Sequence, residues 1–232
     1  MIDVRPFVGL GAADHGWLKA RHHFSFAEYQ DLARKGWGAI RVWNDDEIAA
    51  RQGFAPHLHQ DMEIITYVRT GAISHKDSLG NSGRTPAGDV QVMSAGTGIR
   101  HSEHNLEYEL TTLFQIWIIP DTSGGAPAWG QRAFPKNDRA GQWVVLASGS
   151  PEADDALPIR ADARVLGATL KAGETLAYDA DPARHLYLVP ATGAITVNGV
   201  AADARDGIAM TGLETISITA IDESELVLVD AR

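Results

Sequence analysis

Two short pairs of metal-binding residue types stand out in the sequence. His57 and His59 lie one residue apart in the stretch FAPHLHQDMEIITYV, and His101 and Glu103 have the same spacing in SAGTGIRHSEHN. Because side chains i and i+2 point to the same face of a β-strand, each pair presents both groups to one place. Imidazoles and carboxylates are common metal ligands. Each pair is therefore either part of a metal site or a chance pair of neighbours.

The two pairs together favour a metal site. One histidine pair alone is weak evidence, because the chain contains nine histidines. If the two pairs lie on neighbouring strands, they can converge inside a barrel. Three histidines and one carboxylate leave open positions on an octahedral metal, which suits non-haem iron(II) and also manganese, nickel or copper. Such a site can bind a substrate and dioxygen.

The composition limits the class of protein. The 232 residues, 44% of them hydrophobic, can form one large or two small domains. The net charge of −10 is spread along the chain, which argues against direct nucleic-acid binding. There are no cysteines, so a metal must be held by histidine and carboxylate. We expect a cytoplasmic protein without a membrane partner, because no signal peptide or long apolar segment is evident.

The chain has the pattern of short strands separated by turn residues, which is typical of an all-β barrel or sandwich. Strands are predicted in the first half at 37–45, 63–71, 72–78, 89–96 and 111–120. One helix is predicted near residues 26–36, with Ser25 as its N-cap and Gly36 as its C-terminal stop.

A second set of strands follows the linker-like segment 148–165, and an Asn198-Gly199 pair predicts a tight hairpin. The stretch KAGETLAYDADPARHLYLVPATGAITVNG is similar in register to QGFAPHLHQDMEIITYVRTGAISHKDSLG of the first half. We interpret the two halves as diverged copies of one β unit. In this alignment Ala183 and His185 replace the histidine pair, so the site chemistry is expected in the first copy only.

These residues resemble a known family. PHLHQDMEIITYVRTG resembles the first cupin motif and GIRHSEHN the second, while GWLKARHHFSF and RVWNDD are similar to the pirin family of bicupins. The resemblance implies an all-β fold of two jelly-roll cupin barrels in tandem with a few short helices. Residues 1–145 would form the metal-binding cupin domain and residues 146–232 a degenerate cupin domain without a metal site.

The resemblance also implies the ligands and the ion. In pirins the two histidines of the first motif and the histidine and glutamate of HSE hold the metal. They correspond to His57, His59, His101 and Glu103. The usual ion is iron(II), with copper, nickel, manganese and zinc as alternatives.

The likeness is closest to bacterial pirins described as quercetin 2,3-dioxygenases. It implies metal-dependent cleavage of a flavonol ring by dioxygen to a depside and carbon monoxide. Glu103, the candidate catalytic residue, would either leave the metal and accept the substrate proton or stay a ligand and fix the geometry. One alternative is a pirin-type iron-dependent regulator that binds a transcription factor or enzyme. Another is a cupin dioxygenase with a different phenolic substrate. The expected partners are thus a small phenolic molecule and dioxygen, or a protein in the regulatory alternative.

Other candidate residues receive lesser roles. Glu63 occupies the place of the first-motif glutamate that binds metal in other cupins, but the HSE form favours Glu103, and Glu63 would then support a histidine or line the core. Packing or solvent-facing roles are expected for His22, His23, His104, His75 and Asp77. The aromatic residues expected to line the pocket are Phe24 and Phe54, and those expected to fill the barrel cores are Trp37, Trp43 and Trp117.

Overall fold

The computed structural model describes residues 1–232, with the side chain of residue 153 left out. The strands of the first half are β1 (Ile2–Arg5), β2 (Gly11–Asp14), β3 (Leu18–His22), β4 (Ile40–Ile48), β5 (Gly53–His59), β6 (Glu63–Thr70), β7 (Ala72–Asp77), β8 (Ser82–Pro86), β9 (Val90–Ser94), β10 (Ile99–His104), β11 (Thr111–Ile118) and β12 (Ala128–Arg132). Those of the second half are β13 (Val144–Ser148), β14 (Leu157–Pro158), β15 (Ala163–Leu170), β16 (Thr175–Asp179), β17 (His185–Thr192), β18 (Ile195–Val197), β19 (Val200–Ala202), β20 (Gly207–Thr211), β21 (Thr215–Ala220) and β22 (Ser224–Ala231).

The helical elements are short. Two 3-10 turns cover Phe7–Gly9 and Lys136–Arg139, and α1 covers Pro151–Asp154. Among the described residues, no helix is long and apolar enough to cross a membrane.

The helix predicted near residues 26–36 is wrong. Phe26 and Tyr29 form an isolated β-bridge, and Ala27 between them has a left-handed φ of 48°, which interrupts a helix. Ser25 Oγ accepts the Asp31 N–H at 2.8 Å and closes a loop there. The expected N-cap therefore makes its hydrogen bond six residues along the chain, beyond the reach of a helix cap.

The first barrel consists of two facing sheets. The large sheet has the order β12-β9-β6-β11-β4-β3-β2, and the small sheet has the order β5-β10-β7-β8. The strands predicted in this half correspond to β4, β6, β7, β9 and β11. Both pairs of candidate ligands lie on adjacent strands of the small sheet, β5 and β10.

The second barrel repeats this arrangement. Its large sheet has the order β1-β20-β17-β22-β15-β13-β14, and its small sheet has the order β16-β21-β18-β19. The N-terminal strand β1 pairs antiparallel with β20, with Ile2 opposite Met210 and Arg5 opposite Gly207. The first residues of the chain therefore complete the second barrel. The division between residues 145 and 146 stays a prediction, and it falls within β13.

Four clusters of buried apolar residues stabilise the described part of the chain: one between the barrels, one inside the second barrel and two inside the first. The large sheets pack against each other through a cluster that includes Trp43, Tyr67, Phe114, Tyr187 and Val227. The interior of the second barrel is one cluster of fifteen buried residues, whereas the first barrel has two smaller clusters, of six and four. Polar side chains therefore occupy part of the interior of the first barrel.

The alignment of the two halves needs one correction. The strands β6 and β17 correspond, since each leads to a left-handed glycine, Gly71 with φ 73° and Gly193 with φ 75°. His185 begins β17 as Glu63 begins β6, so His185 is the counterpart of Glu63 and not of a metal-site histidine. The placement of Ala183 and His185 opposite the histidine pair was wrong, because the pair lies on β5, whose counterpart is β16, whereas Ala183 lies in the turn after β16 and His185 begins β17.

Candidate metal centre

The register of β5 and β10 brings three imidazoles together. His57 lies directly opposite His101, and His59 lies opposite Ile99. The Nε2 atoms of His57 and His101 are 3.1 Å apart. The ring centroid of His59 lies 4.8 Å from that of His57 and 5.0 Å from that of His101. One nitrogen from each ring lies within 4.8 Å of the others, which is close enough for a common ion.

One hydrogen bond of His57 indicates which ring nitrogen can bind a metal ion. His57 Nδ1 is 2.8 Å from the Ala55 carbonyl oxygen, which can only accept, so Nδ1 carries the proton. In the neutral form of this ring the lone pair is on Nε2, which points at His101. Unprotonated imidazole nitrogens converging on one point are the donor set that a transition-metal ion requires, and the residues present fit such an ion.

Burial keeps two of these imidazoles neutral. Desolvation, together with smaller contributions from the neighbouring imidazoles of His57, His59 and His75, lowers the pKa of His101 to about 3. Desolvation likewise lowers the pKa of His59 to about 4, with a smaller contribution from His57. The cluster is therefore ready to bind a cation at neutral pH without first losing protons from these two rings.

Glu103 approaches the cluster from the barrel interior, and one of its oxygens lies within 4.8 Å of nitrogens of His75 and His101. Its carboxylate accepts hydrogen bonds from Gln91 Nε2 at 2.5 Å and from Gln115 Nε2 at 2.8 Å. Burial raises the pKa of Glu103 to about 7, although the hydrogen bonds from Gln115, Thr66 and Gln91 favour the ionised form. A carboxyl group with this pKa can gain or lose a proton near neutrality.

Glu63 lies outside the ligand groups found among the described residues. It is buried at the start of β6, and it accepts a hydrogen bond from Ser94 Oγ at 2.6 Å. In the part of the chain that the structure describes, no histidine is hydrogen-bonded to the Glu63 side chain. Of the two carboxylates considered from the sequence, Glu103 is the one that shares a group with His101.

His75 and Asp77 differ from the expectation of solvent-facing residues. His75 is only 1% exposed, and its Nε2 lies 3.0 Å from Asp77 Oδ2. The His75 ring stacks on Trp129 with 4.7 Å between centroids and 8° between planes. The prediction failed because β7 is an inner strand of the small sheet, so its alternate residues face the interior. The signal was present, since SHKD has the same i, i+2 spacing as the two ligand pairs.

The remaining histidines of the first half lie elsewhere. His22 contacts Asn44 Oδ1 through Nδ1 at 2.8 Å, and His23 contacts the Tyr187 hydroxyl at 2.9 Å. Both are buried packing residues, as expected. His104 alternates with Glu103 along β10 and points to the other face of the sheet.

An apolar cavity of about 360 Å³ opens beside the imidazoles. Four aromatic side chains, one alanine and four polar side chains line it. The lining residues are Trp17, Phe26, Phe54, Ala55, His57, His59, Glu103, Gln115 and Trp117. Pockets of this size and character are typical of small-molecule sites, and flat aromatic walls suit a planar ligand.

Two aromatic residues occupy positions other than those predicted. Phe54 lines the cavity as expected, whereas Phe24 is buried in the core between the barrels. Trp117 lines the cavity instead of filling a core, with its ring 5.0 Å from that of His59. Trp117 Nε1 also donates to Gln115 Oε1 at 3.0 Å, which directs the Gln115 amide N–H groups towards Glu103.

A larger cleft of about 680 Å³ lies on the second barrel and offers less to a ligand. Two of the arginines that line it are already held in ion pairs. Arg184 binds Asp162 and Asp230, and Arg164 binds Asp154. The imidazole cluster lies beside the aromatic cavity, so the chemistry is expected there.

Comparisons with known proteins agree with this arrangement. A family model described as Pirin matches residues 4–118, and one described as a quercetinase C-terminal cupin domain matches residues 139–231. The chain is 65% identical to a pirin-like protein of Caulobacter vibrioides over 100% of both chains. The chain belongs to the pirin family. The prediction of an all-β fold with two cupin-type domains is thereby confirmed.

Two other relatives have names that refer to an activity and to a metal ion. The chain is 43% identical to a protein of Escherichia coli K12 named quercetin 2,3-dioxygenase, over 99% of this chain and 98% of that one. It also matches the crystal structure of the bacterial pirin YhhW from Escherichia coli in complex with nickel(II). That match has a TM-score of 0.94 and 41% identity, and it covers 100% of this chain and 99% of the other.

Proposed function

We propose that this chain is a metal-dependent dioxygenase that cleaves the ring of a quercetin-like flavonol. The observation that carries the proposal is the convergence of His57, His59 and His101 beside an aromatic cavity in the first barrel. The Escherichia coli relative named quercetin 2,3-dioxygenase supports the same reaction class.

The proposed ligands are the three histidines and Glu103. Three nitrogens and one carboxylate oxygen suit a borderline divalent ion, and we propose iron(II) from the likeness to pirins, with nickel(II) as the alternative that YhhW supports. When bound, the ion would polarise the substrate oxygens, favour the ionised 3-hydroxyl and assist the reaction with dioxygen.

The protein would position the substrate and exclude water. The rings of Trp17, Phe54 and Trp117 form walls against which planar aromatic rings can pack. Trp17 and Phe54 support each other in an edge-to-face contact with centroids 5.1 Å apart. The flavonol oxygens would then face the imidazoles at the polar end of the cavity.

Glu103 is the proposed acceptor of the flavonol 3-hydroxyl proton. Without a metal, burial raises the pKa of Glu103 to about 7. A bound cation would favour the ionised carboxylate, which is the form that can accept a proton. Gln91 and Gln115 bind its two oxygens and fix the direction from which the proton arrives. The overall reaction combines one flavonol with one dioxygen and yields one depside and one carbon monoxide, so it needs no external electron donor.

The test is carbon monoxide release from quercetin by protein loaded with iron(II) or nickel(II). We expect turnover by the parent and none by His57→Ala. The matched control is His104→Ala, which removes a histidine from the other face of β10 and should retain activity. A flavone without the 3-hydroxyl should not react. Equal activity of His57→Ala and the parent would show that the site is placed wrongly.

The same experiment addresses the alternatives. If the folded, metal-loaded protein releases no more carbon monoxide than free metal does, the flavonol proposal fails. Oxygen uptake on a panel of catechols would then favour a different phenolic substrate. Its absence would make an iron-dependent regulator that binds a protein partner the better account of the same site.

A further inference from the structure

A series of hydrogen bonds joins the imidazole cluster to the hairpin between β7 and β8. His101 Nδ1 lies 3.4 Å from His75 Nδ1, and His75 Nε2 lies 3.0 Å from Asp77 Oδ2. On the other side of its ring, His101 Nε2 lies 3.1 Å from His57 Nε2. Asp77 is directly opposite His101 in the register of β7 and β10, so the sheet itself holds both ends of the series.

The carboxylate at the far end determines where each proton lies. An ionised carboxylate only accepts, so His75 donates from Nε2 and, as a neutral imidazole, keeps its lone pair on Nδ1. That lone pair accepts the proton on Nδ1 of His101. His101 is left with a lone pair on Nε2, which is the atom that faces His57.

We propose that His75 and Asp77 are positioning residues that fix the tautomer and ring orientation of His101 for metal binding. The inference rests on the proposed metal site and names what holds one of its ligands in place. Hydrogen-bond partners of ligating histidines fix the ring and raise its basicity, and their loss typically lowers metal affinity by about 10- to 100-fold.

The surroundings of the pair favour a rigid arrangement. The side chains of His75 and Asp77 are both 0% exposed. Asp77 Oδ1 accepts the backbone N–H of Leu79 at 2.9 Å and that of Asn81 at 3.0 Å. The stacked ring of Trp129 fixes the plane of the His75 imidazole. The hairpin therefore fixes the position of the Asp77 carboxylate, and the carboxylate fixes the orientation of the His75 imidazole.

His75 also lies near Glu103, but the pair fits a supporting role better than a second metal site. A neutral imidazole has one lone pair, and that of His75 is directed at His101. His101 in turn has one lone pair, which points to His57. A second ion between His75, His101 and Glu103 would require His101 to lose its Nδ1 proton as well and to become an imidazolate.

The first test reads the protons directly. Imidazole nitrogen NMR spectra of the metal-free protein should show His101 protonated on Nδ1 and His75 protonated on Nε2. In Asp77→Asn, His75 should no longer be confined to that tautomer. Protonation of His101 on Nε2 in the metal-free parent would overturn the proposal.

The second test measures nickel(II) affinity by competition with a chelator. Asp77→Asn keeps one oxygen for the turn and removes the negative charge, so we expect an affinity about 10- to 100-fold lower. His75→Gln offers an amide oxygen to His101 without help from Asp77. Asp77→Asn should therefore add no further loss in the His75→Gln background. Lys76→Gln, exposed on the other face of β7, is the matched control and should bind as the parent does.

The outcomes separate this inference from the proposed function. If the parent binds nickel and Asp77→Asn binds it equally well, the positioning role fails and the metal site stands. If the losses from the two single variants simply add, Asp77 does not act through His75. Binding of a second nickel that depends on His75 would make His75 a ligand and refute the proposal. If the parent binds no nickel, the metal site and the positioning role both fail, whatever the tautomers are.

Discussion

The two barrels share the order of their strands, but the corresponding strands carry different chemistry. In the first barrel His57 and His101 face each other across β5 and β10. In the second, the inward-facing pair at the matching position of β16 and β21 is Leu176 and Ile218. Ile218 belongs to the apolar cluster of fifteen residues, and Leu176 packs against that cluster.

The difference separates stability from chemistry. The second barrel buries an unbroken apolar interior, while the first places His75, His101 and Glu103 between two small apolar clusters. Burying polar groups costs free energy unless each is hydrogen-bonded. In the first barrel, side-chain hydrogen bonds and the large apolar core between the barrels offset the free energy of burying these polar groups. The fold is thus common to both halves, and the function depends on a few side chains in one.

The largest effects are expected from removing one inward-facing side chain from each barrel. His101→Ala should abolish metal binding, because it removes a proposed ligand and its hydrogen bond to His75. Ile218→Ala should leave metal affinity unchanged but lower the free energy of unfolding by about 2–5 kcal/mol, because it empties a buried site. Denaturant unfolding and nickel titration of both variants provide the measurement. Loss of metal binding in Ile218→Ala would show that the barrels are not independent in function.

The two buried glutamates offer the next comparison. Glu103→Gln should weaken nickel binding strongly, since it removes a proposed anionic ligand and disturbs the hydrogen bonds from Gln91 and Gln115. Glu63→Gln should have little effect on affinity, because the contact recorded for Glu63 is with Ser94. The ratio of the two dissociation constants decides the assignment. A larger loss in Glu63→Gln would reverse it.

Metal removal should affect one barrel more than the other. At a free metal concentration about 100 times its dissociation constant, binding stabilises the folded state by about 2.7 kcal/mol. Hydrogen exchange should then slow in β5 and β10 on adding nickel, while β16 and β21 change little. One metal per chain is expected, because β16 and β21, the counterparts of β5 and β10, carry no histidine. Two metals per chain, or equal protection of both barrels, would contradict this view.

Much of the fold was predictable from local pattern. Alternating β-branched residues located the main strands, and the i, i+2 spacing placed the ligand pairs on strands. The Asn198-Gly199 pair forms the predicted tight turn between β18 and β19, with φ of 48° and 81°.

The failures concern information that is not local. The pairing of β1 with β20 joins residues about 200 positions apart, and no neighbouring residue signals it. The roles of His75 and Asp77 depend on β7 being an inner strand next to β10, which single-strand patterns do not reveal. The sequence alignment of the halves misplaced His185, because no local pattern shows that β16 ends at Asp179 and that β17 begins only at His185.

The smallest expected effects come from the two hairpin tips, at Gly80 in the first barrel and Gly199 in the second. Both glycines have left-handed φ, 91° and 81°, and an added Cβ would meet no atom within 4 Å at either. Alanine at each should therefore lower the free energy of unfolding by a similar amount, about 1 kcal/mol, through backbone strain alone. The two tips differ in what they hold. Gly80 follows Asp77 in the turn that fixes the carboxylate, whereas Gly199 lies in a two-residue turn beside apolar strands. Gly80→Ala should thus also weaken nickel binding, by less than Asp77→Asn does, and Gly199→Ala should not. Equal unfolding losses with unchanged nickel affinity in both variants would show that the hairpin tip does not contribute to the placement of Asp77.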